Sequence, residues 1–372
     1  MSQPLNLLHA HSGNLYGGVE TLLVTLARHP GALEHRYALC FEGRLAGELR
    51  AAGAQVSFLG SVRFSRPWTV LGARRRLTKV VQAHWPAAVV CHSPWSLAAF
   101  GPVARAHGVP LVLWVHGAFT GRHWLERLAR VTATPDLAIC NSQYTRAAFA
   151  AALPKVRAEV VYYPVAPPPA FEPVRRPAKR EGHGASPDTV VIALAARLER
   201  WKGHMALLDA LASLKERSEW TAWFIGGAQR RAEDVYRADL ERKANDARIA
   251  DRVHFLGQRD DVASLLWASD IFCQPNTEPE PFGISFIEAL YAGLPVVTTD
   301  LGGAREIVTP ACGVLVPPGD PSALRNALER LMTDADLRHR IRAAAPARAA
   351  ALCSPVTTVE RLAEVLSAVV RR

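Results

Sequence analysis

Residues 278–308 read EPEPFGISFIEALYAGLPVVTTDLGGAREIV. The pattern is a Pro- and Glu-rich loop, then a short helix stopped by Gly293 and Pro295, then a buried strand over residues 296–299. A turn at Gly302 and Gly303 closes it. Pro281 suits the first turn of a helix, where its missing N–H is not needed. A glycine followed by a proline reads as a C-cap and a stop. Glu280 and Glu288 stand eight residues apart, one in the loop before the helix and one about two turns into it. A helix start offers unpaired N–H groups and the positive end of the helix dipole, which suits a phosphate. Carboxylates on either side can accept hydrogen bonds from sugar hydroxyls. The stretch therefore suits a ligand that is both phosphorylated and rich in hydroxyls.

Working outward, short apolar runs alternate with longer amphipathic ones on both sides of this stretch. In the first half the strand candidates are residues 5–9, 36–41, 55–59, 88–91, 111–115 and 137–140. In the second they are 189–194, 221–225, 253–256, 271–274, 296–299 and 314–316. Such alternation predicts parallel sheets wrapped by helices, with ligands bound beyond the C-terminal strand ends. Prolines 164, 167, 168, 169, 173, 177 and 187, with nearby arginines, mark residues 166–187 as an interdomain linker. The predicted domains are therefore residues 1–165 and 188–352. Val359, Leu362, Val365, Leu366 and Val369 recur at helical spacing, which makes residues 353–372 a final amphipathic helix.

Several loops at strand ends carry candidate chemistry. Gly17 and Gly18 lie in the loop after the first strand and permit close backbone approach to a ligand. The spacing is not G-x-G-x-x-G, so no dinucleotide fingerprint is present. His116 follows an apolar strand and is followed by Gly117, a position suited to a sugar hydroxyl or to proton transfer. Asn141 and Ser142 are placed to cap a helix. Arg197 and Lys202 flank the loop after the first strand of the second half, where two cations would stabilise a diphosphate leaving group. Asp260-Asp261 reads as a helix N-cap, and no D-x-D or His/Cys cluster has metal-ligand spacing.

Composition sets outer bounds. At 372 residues the chain accommodates two domains, each with its own core. No apolar run approaches ~20 residues, and the start of the chain lacks the pattern of a secretory signal. The expected location is cytoplasmic. The six cysteines are widely spaced, with no C-x-x-C pair, and read as buried free thiols. Net charge is +10, from 44 Lys+Arg against 34 Asp+Glu, which favours anionic partners. Residues 63–79 hold Arg63, Arg66, Arg74, Arg75, Arg76 and Lys79 and no acid, interleaved with Phe64, Trp68, Val70 and Leu71. Such a segment can be a core-packed helix with a solvated basic face, or can lie on an anionic membrane surface.

Taken together, the two α/β halves, the proline linker, Arg197/Lys202 and Glu280/Glu288 resemble the GT-B glycosyltransferases, and more closely the retaining family-four type. The resemblance rests most sharply on E-P-F-G-x-x-x-x-E at residues 280–288, followed by A-G-x-P-V-V within ALYAGLPVV at 289–297. The R-L-x-x-x-K-G pattern at 197–203 and G-G-x-E at 17–20 add to it. The resemblance implies two Rossmann-like domains facing each other across a cleft. It implies that Glu288 accepts from the nucleotide ribose. Glu280 would sit by the donor sugar, whose hydroxyls the N–H groups of Phe282, Gly283 and Ile284 would hold. Arg197 and Lys202 would clamp the diphosphate, Gly17 and Gly18 would approach it from the other domain, and His116 would lie near the transferred sugar. The last helix would cross back to the N-terminal domain. Two positions depart from the family pattern: Ala196 stands where a glycine often precedes the arginine, and Gly117 where many members carry an acid.

The expected activity is metal-independent hexosyl transfer, with retention, from a nucleoside diphosphate sugar to a hydroxyl acceptor. No cofactor is expected. The acceptor implied is a glycan or lipid-linked glycan of cell-envelope synthesis, with work at the inner membrane face and no nucleic-acid partner. A sugar-nucleotide epimerase and a non-catalytic nucleotide- or glycan-binding protein are the rival readings.

Overall fold

The computed structural model describes residues 4–14 and 16–370. The chain forms two compact units, one of Met1–Ala166 with Cys353–Arg372, the other of Pro167–Leu352. The first is built on strands β1 (Leu5–His11), β2 (Leu33–Leu39), β3 (Gln55–Phe58), β4 (Ala88–Cys91), β5 (Leu111–Val115), β6 (Leu137–Cys140) and β7 (Arg157–Val160). They pair in the order β3-β2-β1-β4-β5-β6-β7, all parallel. The second has β8 (Val190–Ala195), β9 (Trp220–Ile225), β10 (Val253–Gly257), β11 (Ile271–Gln274), β12 (Val296–Thr299) and β13 (Gly313–Val316). Their order, β10-β9-β8-β11-β12-β13, repeats the first pattern. Both are Rossmann-like, and each has a switch point, between β1 and β4 and between β8 and β11.

Burial explains why these runs are strands. β8 and β9 are buried at every position, as expected of central strands covered by helices on both faces. Edge strand β7, RAEV, is partly exposed throughout and carries charge, so no apolar run announces it, and the sequence reading missed it. β2 begins at Leu33 rather than residue 36, which brings His35 into the sheet. Ser93 and Ser142 cap the helices Pro94–Ala106 and Gln143–Ala152 through reciprocal hydrogen bonds, which accounts for the Asn141-Ser142 loop. All six cysteines are buried.

Two expectations need correction. The linker reading fails for much of residues 166–187, because Arg176–Glu181 is a helix packed on the second unit. Arg180 is 4% exposed and bonds Asp270 at 2.8 Å, while Arg176 takes the other carboxylate oxygen at 2.7 Å. These arginines are therefore structural pins. Asp261 occupies an N-cap position, but its side chain makes no cap bond and instead pairs with Arg259 and Lys179. The final helix, Pro355–Val370, buries Val359, Leu362, Val365 and Leu366 within the first unit. Among the described residues no helix is long and apolar enough to cross a membrane.

Candidate active site

The second unit's site forms at its switch point. After β8 the chain passes Arg197 and a short 3-10 turn, Arg200–Lys202. Gly203 follows at φ +82°, and a Cβ there would meet the Pro275 carbonyl oxygen at 1.9 Å. Only glycine lets the Lys202 turn press this closely on the segment leaving β11. Lys202 Nζ consequently lies 2.7 Å from Glu280 Oε2, with both side chains largely buried. Its ammonium also sits 3.9 Å from the Trp201 ring centroid.

Glu280 is held from several directions. Its Oε2 also accepts from Asn276 Nδ2 at 3.1 Å and Gln274 Nε2 at 3.3 Å. Gln274 is oriented in turn by Ser285, whose hydroxyl donates to Gln274 Oε1 at 3.0 Å. The backbone is fixed as well: Gly303 N–H donates to the Glu280 carbonyl at 2.7 Å. Gly302, at φ +61°, comes so near that a Cβ would stand 2.3 Å from that carbonyl oxygen. The glycine turn and the glutamate are thus one local structure. All three of these side-chain contacts fall on the one carboxylate oxygen, Oε2.

The helix that follows is Ile284–Tyr291, with Gly283 at the N-cap and no side chain capping it. Pro281 therefore precedes the helix instead of opening it, and Glu288 lies little more than one turn in. Burial pushes the Glu288 carboxyl up to about 7, so it holds its proton far more tightly than an exposed glutamate. Arg197 pairs with Glu199 at 3.0 Å and keeps 37% side-chain exposure. Neither expected cation therefore stands alone: Arg197 and Lys202 each carry a carboxylate partner.

In the first unit, Gly17 is the N-cap of the helix Gly18–Arg28, again with no side-chain cap. Glu20 in its first turn is buried and bonds His11 Nε2 at 2.8 Å. His116 follows β5 directly. Its two ring nitrogens are both engaged, Nε2 with His92 at 2.9 Å and Nδ1 with the Tyr163 hydroxyl. Burial drives its pKa well below the ordinary histidine value. The imidazole expected to meet a sugar hydroxyl or to transfer a proton is therefore a ring hydrogen-bonded on both sides. Among the described residues no group of His, Cys, Asp and Glu could hold a metal ion.

Two family patterns match the chain, Glycosyltransferase Family 4 over residues 16–167 and Glycosyl transferases group 1 over residues 175–348. The chain belongs to the GT-B glycosyltransferases of group 1. The E-P-F-G-x-x-x-x-E motif lies inside the second match. Over 254 residues it is 30% identical to the GDP-mannose-dependent alpha-(1-6)-phosphatidylinositol monomannoside mannosyltransferase of Mycolicibacterium smegmatis, covering 64% of this chain and 65% of that one. It is 37% identical over 147 residues to a phosphatidyl-myo-inositol mannosyltransferase of Mycobacterium leprae, 38% of this chain and 37% of the other. The chain thus spans about half the length of the curated relatives it matches, as in the 51% covered of the Corynebacterium glutamicum mannosyltransferase. Among solved structures, Anabaena Alr3699/HepE in complex with UDP-glucose is similar at TM-score 0.86 and 26% identity, covering 98% and 100% of the two chains. A Rickettsia africae glycosyltransferase superposes at TM-score 0.87 over both whole chains with 18% identity, which shows the shared fold.

Sequence reading named Lys202, Glu280 and Glu288 but missed the residues that hold Glu280: Gln274 and Asn276 directly, and Ser285 through Gln274. It also missed His9, His11, His92 and Tyr163. One signal was available, since the alternation His9-Ala10-His11 inside an apolar strand puts two polar rings on one face.

Proposed function

We propose that the protein transfers a sugar, with retention, from a nucleoside diphosphate sugar to a hydroxyl acceptor in cell-envelope polysaccharide or glycolipid synthesis. The observation that carries the reading is the Lys202–Glu280 pair at the second switch point, with Asn276 and Gln274 holding one carboxylate oxygen. Oε1 of Glu280 then receives donor-sugar hydroxyls, together with the N–H groups of Phe282, Gly283 and Ile284. Glu288 accepts from the ribose. Arg197, Lys202 and the uncapped helix start stabilise the leaving diphosphate, so the step draws on no resident metal. Gly17 and Gly18 approach the phosphates, and His116 lies by the transferred sugar. The acceptor hydroxyl attacks from the face the diphosphate leaves, and the departing phosphate takes its proton. The new glycosidic bond forms as the sugar–phosphate bond breaks.

Relatives named as GDP-mannose-dependent mannosyltransferases and a neighbour solved with UDP-glucose support a nucleotide-sugar donor. The names phosphatidylinositol and lipopolysaccharide core mannosyltransferase support a glycolipid or lipid-linked acceptor. On this reading the protein works at the cytoplasmic membrane face, docked through the basic segment of residues 63–79. Thermal shift against a panel of sugar nucleotides identifies base and sugar, because specific binding raises apparent stability. With the donor found, Lys202→Ala and Glu280→Gln should each lower kcat/KM by about 100-fold or more while far-UV circular dichroism stays native. Near-wild-type transfer by either variant overturns the site assignment. Donor isomerised without acceptor, followed by NMR, replaces transfer with epimerisation.

A further inference from the structure

A row of imidazoles crosses the first sheet. His35 in β2, His9 in β1, His92 just after β4 and His116 just after β5 are hydrogen-bonded in series. The nitrogen–nitrogen distances are 2.9, 2.8 and 2.9 Å. The His9–His92 link spans the switch point. Beyond His116 the row continues to Tyr163, which follows β7 and also bonds Asn141. His9, His35 and His92 are 0%, 7% and 2% exposed.

Every link has the same sense: Nδ1 of one ring meets Nε2 of the next, from His35 through His116. A neutral imidazole has one N–H and one acceptor nitrogen. Each link needs one proton, so neutral rings must all be Nδ1–H or all be Nε2–H. The far end chooses between these states. At the far end, His35 Nε2 is buried without a partner. An orphaned buried N–H is rarer and costlier than an unmatched acceptor, so this nitrogen holds no proton. At the near end, Asn141 Nδ2 points to both the Tyr163 oxygen and the His116 carbonyl, and Asn141 Oδ1 accepts from Thr145. That fixes the amide orientation and makes the Tyr163 oxygen an acceptor from Asn141, with a lone pair left for an N–H from His116. The near end thus accommodates the Nδ1–H state, and the His35 end selects it.

We propose that His35, His9 and His92 are positioning residues that lock His116 in its Nδ1–H tautomer, aimed at Tyr163. His116 then contributes a fixed ring to the site and does not act as a general base. The other ionisable groups facing the row are His11 with its partner Glu20, Tyr37 stacked on His9, and Tyr163. Burial lowers the pKa values of His9, His92 and His116 well below the ordinary value, and that of His35 to about 4, which keeps the row uncharged near neutrality.

The role in catalysis rests on the sugar-transfer reading, whereas the tautomer does not. Long-range proton–nitrogen correlation spectra of the nitrogen-15-labelled full chain, assigned by single histidine substitutions, read it directly. The expected result is a protonated Nδ1 and a bare Nε2 on His116. In His35→Asn the amide donates to His9 as imidazole did, so the pattern and kcat/KM should persist within a few-fold. In His35→Asp the carboxylate accepts from His9, which reverses the row, moves the His116 proton to Nε2 and lowers kcat/KM about 10-fold. A wild-type His116 protonated on Nε2, or the same tautomer in both variants, overturns the proposal, and the wild-type spectrum decides alone if a variant fails to fold. The kcat pH profile should show no ionisation assigned to His116, and a base limb lost with His116→Gln also refutes it. Sugar transfer that is absent while the tautomer pattern holds counts against the function and leaves the row intact.

Discussion

Glu288 illustrates how much a single residue's setting determines. A carboxyl raised to about 7 binds its proton more tightly in the folded chain than in the unfolded one. Stability therefore falls as pH rises from the unfolded value near 4.5 toward 7, by an amount on the order of 2 kcal/mol. Glu288→Gln should remove that decline and unfold at higher denaturant than wild type above pH 7. Ribose hydroxyls that donate to the carboxylate favour its ionised form. Nucleotide affinity should therefore rise with pH up to about 7 and then level, with protons released on binding in calorimetry. Affinity that stays flat through pH 7 in wild type counts against a ribose contact. At this scale the sequence was informative where a residue's neighbours lie beside it in the chain. E-P-F-G and R-L-x-x-x-K-G could be read because glycine, proline and charge act locally. The Lys202–Glu280 pair joins positions 78 apart, and the histidine links join positions 26, 83 and 24 apart. No local pattern marks such pairs.

At the scale of elements, strands with buried apolar runs were all legible, and the strand that was missed has none. β8, β9, β11 and β12 are buried at every position. β7 has none of that signal because it lies at the sheet edge. The Arg176–Glu181 helix was mistaken for linker because proline and arginine read as solvated spacing, whereas here they start a helix and pin it. Asp270 is the centre of that arrangement, accepting from Arg176, Arg180 and the Val191 N–H. Burial alone would raise its pKa, but Arg180, the Val191 N–H and Arg176 outweigh it and hold the carboxyl below its ordinary value. Asp270→Ala leaves two arginines without their anion, one of them 5% exposed, and should cost about 3–5 kcal/mol in denaturant unfolding of the second unit. A loss below about 1 kcal/mol, the range of a surface pair, would mean the helix is held by other contacts.

At the scale of the whole molecule, the two parallel sheets follow from the α/β alternation while their shared strand order is seen only in the structure, and the net charge of +10 asks which surface it serves. The basic segment divides in two. Arg74 donates to the carbonyls of Ala98 and Ala99, and Arg76 to that of Leu59, so these hold the helix Pro67–His84 in place. Arg63, Arg66, Arg75 and Lys79 are exposed. Beside them Trp68 and Leu71 are 67% and 53% exposed, and Trp124, edge-on to Phe64, is 56% exposed. Charge flanking exposed aromatic rings is the composition that seats a helix at an anionic bilayer, and each basic side chain contributes about 1 kcal/mol there. Replacing Arg63, Arg66, Arg75 and Lys79 by Gln should weaken co-sedimentation with phosphatidylglycerol vesicles about 100-fold or more, since the four terms add on one face. Trp68→Ala with Trp124→Ala should weaken it further at high salt, where charge is screened and the rings dominate. Arg74→Gln and Arg76→Gln should instead lower the unfolding midpoint and leave vesicle binding near wild type. If all six basic substitutions act alike, or if vesicle binding ignores both charge and salt, the segment serves packing and not membrane docking.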